Sequence, residues 1–339
     1  MLRRSLIAAG LLAAGFAPGL ASGAAAAQDA SPAADACAAP TREDVERIPH
    51  LFAESLNSDD VSPYADLLAP DVVHHGSWMG NLGSAEEMTQ GLQDLLTAFP
   101  DLTVDIEIVV AEAPYVAASW TASGTQDGPF VGYEASGRSG SWHGINMWRI
   151  DCGKIVESWS QPDQITRLQV IGAIPVDDAA AAAASPAAAA PAASPETCEG
   201  DGADPREVIA RLWDEGWSGG DAAALEAVLA PGVIHHWATG ADSVGVAATA
   251  ERVEGWRQAM PDMTLVYDDI IVDGDYAAAA WTVTGTPAGA PDGTEPVSAD
   301  GINIFRFECG QIAEMWSEMD ALGLMAQLEA ATAEATPAP

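Results

Sequence analysis

The sequence predicts an α+β fold: two tandem domains, each a curved antiparallel sheet wrapped on the helices that precede it. Three observations carry this. A long internal repeat divides the 339 residues into similar halves, each half runs from helical periodicity to consecutive strands, and an Ala/Pro/Ser stretch separates them.

The repeat is read pair by pair. Cys37 and Cys198, Ala69-Pro70 and Ala230-Pro231, His74-His75 and His235-His236, Pro100-Asp101 and Pro261-Asp262, Trp120 and Trp281, and Gly124-Thr125 and Gly285-Thr286 all stand 161 residues apart. Downstream, Gly144-Ile145-Asn146 with Gly301-Ile302-Asn303, Cys152-Gly153 with Cys309-Gly310, Trp159-Ser160 with Trp316-Ser317, and Asp163 with Asp320 stand 157 apart. The loop between Thr125 and Gly144 is therefore four residues shorter in the second copy. A unit of this length is a whole domain and not a solenoid repeat.

In the first copy, residues 45–55 and 86–98 have helical period, and Asp66 to Leu68 leads through Pro70 into an extended piece bearing the histidine pair. Residues 103–110, 115–124, 142–150 and 154–159 read as strands, with Asp151-Cys152-Gly153 as a tight hairpin turn. The second copy repeats the plan with helices at 206–217 and 246–260 and strands at 264–272, 276–285, 301–307 and 311–316.

Around the copies, residues 1–27 read as a signal peptide: Arg3 and Arg4, an apolar run from Leu6 to Leu20, and Ala25-Ala26-Ala27 as a small-residue cleavage pattern. The run is too short and too interrupted by Gly15, Pro18 and Gly19 for a membrane anchor. Residues 28–40 form a low-complexity lead, 41–175 the first domain, 176–197 an Ala/Pro/Ser linker, 198–331 the second domain and 332–339 a disordered tail. The protein is accordingly expected to be exported, to a periplasmic or extracellular location. Its four cysteines fit that compartment, and their near-equal spacing singles out Cys37–Cys152 and Cys198–Cys309 as disulfides, with four buried thiols as the alternative.

Composition removes several functions. Fifty acidic against 13 basic residues give a net charge of -37, a field that repels phosphates and anionic headgroups, so neither nucleic acid nor, once the signal is removed, a membrane is an expected partner. Lys154 is the only lysine, and no glycine-rich phosphate loop accompanies it. No Cys/His cluster has zinc-ligand spacing, so no metal is expected.

The run Pro-Asp-Val-Val-His-His at 70–75, Phe-Pro-Asp-Leu at 99–102, Trp-x-x-x-Gly-Thr at 120–125, and Gly-Ile-Asn-Met-Trp-Arg-Ile-Asp-Cys-Gly-Lys-Ile-Val-Glu-Ser-Trp from Gly144, with Asp163, resembles the SnoaL-like polyketide cyclases. These belong to the nuclear transport factor 2-like superfamily and are often named ester cyclases. The resemblance spans nearly all of both copies. It implies cone-shaped domains, each with an apolar pocket that takes a small apolar molecule, and sheet-to-sheet pairing of the two copies as an intramolecular pseudo-dimer. It also implies ring closure by cofactor-free acid/base chemistry on a carbonyl compound. The fold hosts enzymes and binding modules alike, so a non-catalytic binder with two hydrophobic pockets is the alternative, and whether the chain is an enzyme stays open.

The chain departs from the cyclases at the position of their carboxylate, where Ser160 and Ser317 stand, neither of which titrates near neutrality. Asn146 and Asn303 stand where the cyclases have a histidine. The proton-transfer candidates that remain are His75 and Asp163 with their counterparts His236 and Asp320, the aspartates doubling as candidate N-caps of a C-terminal helix. By the period of two, His75 and His236 are expected to face the pocket, either as structural histidines satisfied by a backbone carbonyl or as proton shuttles or ligand donors, and His74 and His235 to point the other way, toward solvent or the helix layer. Asn146, Ser160 and Trp120, with Asn303, Ser317 and Trp281, are the expected ligand-binding residues. The tryptophans are equally candidates for core packing, as are Trp159 and Trp316.

Overall fold

In a computed structural model the described residues are 37–175 and 202–333, apart from Gly240 and Asp292. The signal peptide, the linker and Cys198 lie outside them.

Copy one opens with α1 (Arg42–Asn57), started by a capping box in which Thr41 and Asp44 bond each other's backbone N–H. Its Val45, Ile48, Phe52 and Leu56 recur at helical spacing and enter the core. After α2 (Ser62–Ala65) and β1 (Leu68–Gly76) comes α3 (Ala85–Ala98), capped by Ser84. Four strands follow, β2 (Thr103–Glu112), β3 (Tyr115–Thr125), β4 (Ser139–Asp151) and β5 (Lys154–Pro162), and then α4 (Gln164–Val170). The sheet order is β1-β5-β4-β3-β2, antiparallel except for β1, which runs parallel to β5. The histidine pair thus sits on a sheet strand and not merely on an extended lead.

Copy two consists of α5 (Pro205–Arg211), a π-helical stretch (Leu212–Ser218), α6 (Ala222–Val228), β6 (Leu229–His236), β7 (Ser243–Val244), α7 (Val246–Ala259), β8 (Thr264–Tyr267), β9 (Ile271–Asp273), β10 (Tyr276–Gly285), β11 (Val297–Glu308), β12 (Gln311–Met319) and α8 (Ala321–Ala333). The single strand expected over 264–272 is broken into β8 and β9. Asp269 stands where copy one has Ile108, and its carboxylate turns out to accept from the Tyr115 hydroxyl at 2.8 Å.

The repeated motifs have structural work. Asp101 accepts from the Thr125 backbone N–H at 2.6 Å and hydroxyl at 2.7 Å, and Asp262 does the same with Thr286 at 2.6 and 2.8 Å. Each aspartate ties the turn after its long helix to the end of a sheet strand, β3 in copy one and β10 in copy two. The Cys-Gly pairs form the predicted hairpin turns, with positive φ at Cys152, Gly153, Cys309 and Gly310. Cys37, Cys152 and Cys309 are disulfide-bonded, which removes the free-thiol alternative for those three.

One face of each sheet packs on its own helices. The opposite faces share a separate cluster that includes Val110, Ala117, Ile145, Met147 and Trp159 of copy one with Ala278, Ala280, Ile302 and Ile304 of copy two. Around it Arg42 donates to both Asp273 oxygens at 2.6 Å and Arg206 to both Glu112 oxygens at 2.5 Å. None of the described helices is long and apolar enough to cross a membrane.

Candidate functional site

Alternation along the strands of copy one turns His74, Trp120, Trp142, Asn146, Trp148, Ser158 and Ser160 toward the helices. With Phe52, Leu56 and Tyr64 and with Met88, Leu92 and Leu95 from α3, they enclose a cavity of about 40 Å³. Gly144 is required here, because the Trp120 ring lies across it and a Cβ would meet that ring at 2.4 Å.

The polar groups of the cavity form two sets. Asn146 Oδ1 accepts from Trp120 Nε1 at 3.1 Å and from the Ser160 hydroxyl at 2.9 Å. His74, 2% exposed, bonds Ser158 Oγ through Nδ1 at 2.8 Å, while its Nε2 is buried with no partner among the described residues. Burial, with repulsion from His75 added, holds the His74 imidazole down to about 4, so it is neutral at pH 7. Ser158 decides its tautomer. A hydroxyl that accepts from Nδ1 leaves a lone pair on Nε2, and one that donates leaves an N–H there.

The expected phase of the histidine pair is therefore corrected. Val73 and His75 do share a face, as the period of two required, but it is the face away from the cavity, with Val73 exposed. His75 stacks on Trp159 and bonds Glu157 at 3.1 Å, and Glu157 is held by Arg149. His236 repeats the arrangement with Trp316, Glu314 and Arg306, and adds Asp242 at 2.9 Å. Burial lowers His236, yet Glu314 and Asp242 prevail and its pKa is raised. These are ion-pair networks on the sheet faces turned from the helices, beside the cluster that the two copies share.

Asp163 and Asp320 are helix caps: Asp163 accepts from Thr166 N at 2.9 Å and Asp320 from Gly323 N at 2.9 Å. Neither lines the cavity. Asp163 Oδ2 lies 3.8 Å from His143 Nε2, whose Nδ1 bonds Glu318 of the other copy at 2.7 Å. Sequence reasoning missed Glu318, a buried acid on β12, and it missed Arg167, a buried arginine on α4 that lines the cavity.

Copy two keeps the framework and fills the space. Trp281 donates to Asn303 at 2.7 Å, as Trp120 does to Asn146, but Ser317 bonds His235 at 2.7 Å. Met315 stands at the position of Ser158, and Trp237 at that of Gly76. The Trp237 ring stacks on His235 with 3.4 Å between centroids, and Trp217 and Arg252 pack against it. A Cβ at Gly76 would approach His74 Nε2 to 2.4 Å, so the glycine keeps open in copy one the space that tryptophan takes in copy two.

Comparison with known proteins agrees with the repeat. The profile of the SnoaL-like polyketide cyclase family matches residues 46–171 and 207–328. Among solved structures, AclR from Streptomyces galilaeus is 28% identical, with a TM-score of 0.37 over 40% of this chain and 86% of its own. TsrD from Streptomyces laurentii is 25% identical, TM-score 0.37, over 40% and 99%. IdmH from Streptomyces antibioticus is 28% identical, TM-score 0.33, over 37% and 96%. No curated protein matches the chain.

Proposed function

The chain belongs to the SnoaL-like polyketide cyclase family, and from that premise we propose that copy one is the working domain of an exported protein, taking a small apolar carbonyl compound into its cavity and moving a proton on it in the manner of the cyclases. The observation that carries this reading is His74 Nε2, a buried imidazole nitrogen that has no partner among the described residues, on a side chain that lines the cavity. With Nδ1–H donated to Ser158, Nε2 accepts a proton from the carbon next to the carbonyl. Its low basicity suits carbon acids that are already activated, such as 1,3-dicarbonyl compounds. The Asn146 amide N–H, its Oδ1 held by Trp120 and by the Ser160 hydroxyl, orients the carbonyl oxygen.

The cavity favours a small ligand. At about 40 Å³ it is well below the ~150 Å³ that accepts a benzene ring, so a ligand the size of a diketone or of isobutyrate enters only as the lining gives way. Of its lining, Met79 and Met88 are the unbranched side chains best able to give way.

Export is supported by the leader pattern and by the disulfide-bonded state of the three described cysteines, which belongs to an oxidising compartment. The pairings Cys37–Cys152 and Cys198–Cys309 are part of this proposal. So is the intramolecular pseudo-dimer, supported by the cluster between the sheets, and it predicts a mature chain that sediments as a monomer.

The test is deuteration of 3-methylpentane-2,4-dione at its central carbon in D2O, followed by NMR. The mature chain should accelerate exchange, His74→Phe should abolish the acceleration, and His75→Phe should retain it. A second reading, a binder without turnover, is favoured by one observation: no carboxylate among the described residues lines the cavity. Saturable binding of the dione with exchange at the buffer rate would establish it in place of the first.

A further inference from the structure

We propose that the copy-one cavity is an anion site and that its ligand carries a carboxylate, held by Arg167 on a small hydrocarbon body. The inference rests on copy one being the ligand-binding domain and adds the chemical class of what it binds.

Arg167 is 2% exposed and lies on α4. Its guanidinium sits over the rings of Phe130 at 4.7 Å and Trp78 at 5.1 Å. Stacking of this kind satisfies the face of a guanidinium, but its N–H donors project from the edge and need acceptors of their own. Arg167 Nε has none, and no carboxylate among the described residues lies within salt-bridge distance of the group.

The nearest acid along the helix is Asp163, one turn earlier. One of its oxygens accepts the capping bond from Thr166, and the other is 3.8 Å from His143. Burial pulls Arg167 down and Asp163 pulls it back, leaving it at about 9, so it is a cation at neutral pH. A buried cation without a counter-ion is costly. In a chain with 50 acidic residues against 13 basic ones, that missing partner does not reflect a shortage of acids.

The cavity supplies a second unmet group in His74 Nε2. A bound carboxylate favours the other tautomer from the one that abstracts a proton: with the proton on Nε2 and Ser158 donating to Nδ1, the neutral imidazole is a hydrogen-bond donor to the anion. One cation and one neutral donor among aromatic and aliphatic walls match a monocarboxylate with an apolar tail. A phosphate would need more donors and a wetter lining. Copy two has Leu324 where copy one has Arg167, so the site is not duplicated.

The experiment titrates the mature full chain at pH 7 with isobutyrate and with isobutyramide, its neutral isostere, by calorimetry and tryptophan fluorescence. Isobutyrate should bind at least tenfold more tightly, with one site per chain. Arg167→Met should erase the preference without lowering Tm, and Arg167→Lys should keep part of it. Equal affinity for the two isosteres, or a preference that survives Arg167→Met, overturns the anion site while leaving the pocket reading intact. Binding of neither, with binding of 3-methyl-2-butanone, also overturns the anion site alone. Binding of none of the three overturns both.

Discussion

Gly76→Ala is a small perturbation with a large expected effect. The new Cβ would lie 2.4 Å from His74 Nε2, 3.0 Å from Cδ2 and 3.3 Å from the Gly80 carbonyl oxygen. Ordinary carbon contacts are ~3.5 to 4.0 Å, so the imidazole must retreat by about 1 Å. A displacement of that size disrupts the geometry of its 2.8 Å bond to Ser158 whichever way the ring moves. The lost bond costs about 1 kcal/mol, and a misplacement of that size costs on the order of 100-fold in rate. The backbone at Gly76 is not left-handed, so the substitution adds no φ strain, and the Gly80 carbonyl need give by only a few tenths of an ångström. The assay is the exchange rate of the dione in D2O together with Tm. Gly83→Ala is the control, since its added Cβ meets nothing within 4 Å. An exchange rate in Gly76→Ala equal to that of the wild type would refute the placement of His74 as the proton acceptor.

Two further perturbations test the asymmetry and the junction between the copies. Trp237→Gly should destabilise by about 3 kcal/mol through loss of a large, partly buried ring, while ligand stoichiometry by calorimetry stays at one per chain, because Met315 and Leu324 still occupy the positions of Ser158 and Arg167. The second concerns pH. Burial opposes the charge on His143, but Glu318 outweighs it and lifts His143 to about 9, while burial lifts Glu318 to about 7. A group whose folded pKa lies above its unfolded one stabilises the fold when protonated. Both contributions are therefore whole below their unfolded values and fade as pH rises, the last of it on passing 9. The step from 6.5 to about 9 corresponds to ~3 kcal/mol, and the half-exposed ring retains about 1 kcal/mol of that, or ~2 to 4 °C. Tm should fall by that amount between pH 7 and 9.5, and His143→Gln should flatten the fall measured by calorimetry.

The repeat, the order of elements and the Cys-Gly turns were legible because each rests on local chemistry: period, spacing and positive φ. The trio Trp120, Asn146 and Ser160 was legible because alternation within neighbouring strands brings them to one face. The phase of the histidine pair was not. Val72-Val73-His74-His75 places one valine and one histidine on each face, so period two cannot say which face is inner. That is decided by the parallel pairing of β1 with β5 and by the bridge from His74 to Leu82. Arg167 was hidden for a related reason. Its α4 is only seven residues long, and the rings that bury it come from Trp78 and Phe130, far away in sequence. The signal available was negative: an arginine in one copy aligned with a leucine in the other.

Trp237 against His235 has a consequence for how such a chain can change. In a dimer of identical subunits every substitution appears on both sides of the axis, so one pocket cannot close while the other stays open. Joining the two copies in one chain lifts that constraint, because each position can vary alone while the partner remains tethered. One half is then free to trade its cavity for packing and to serve as a solid counterface, leaving the other to keep the hollow and the unmet polar groups that a ligand requires.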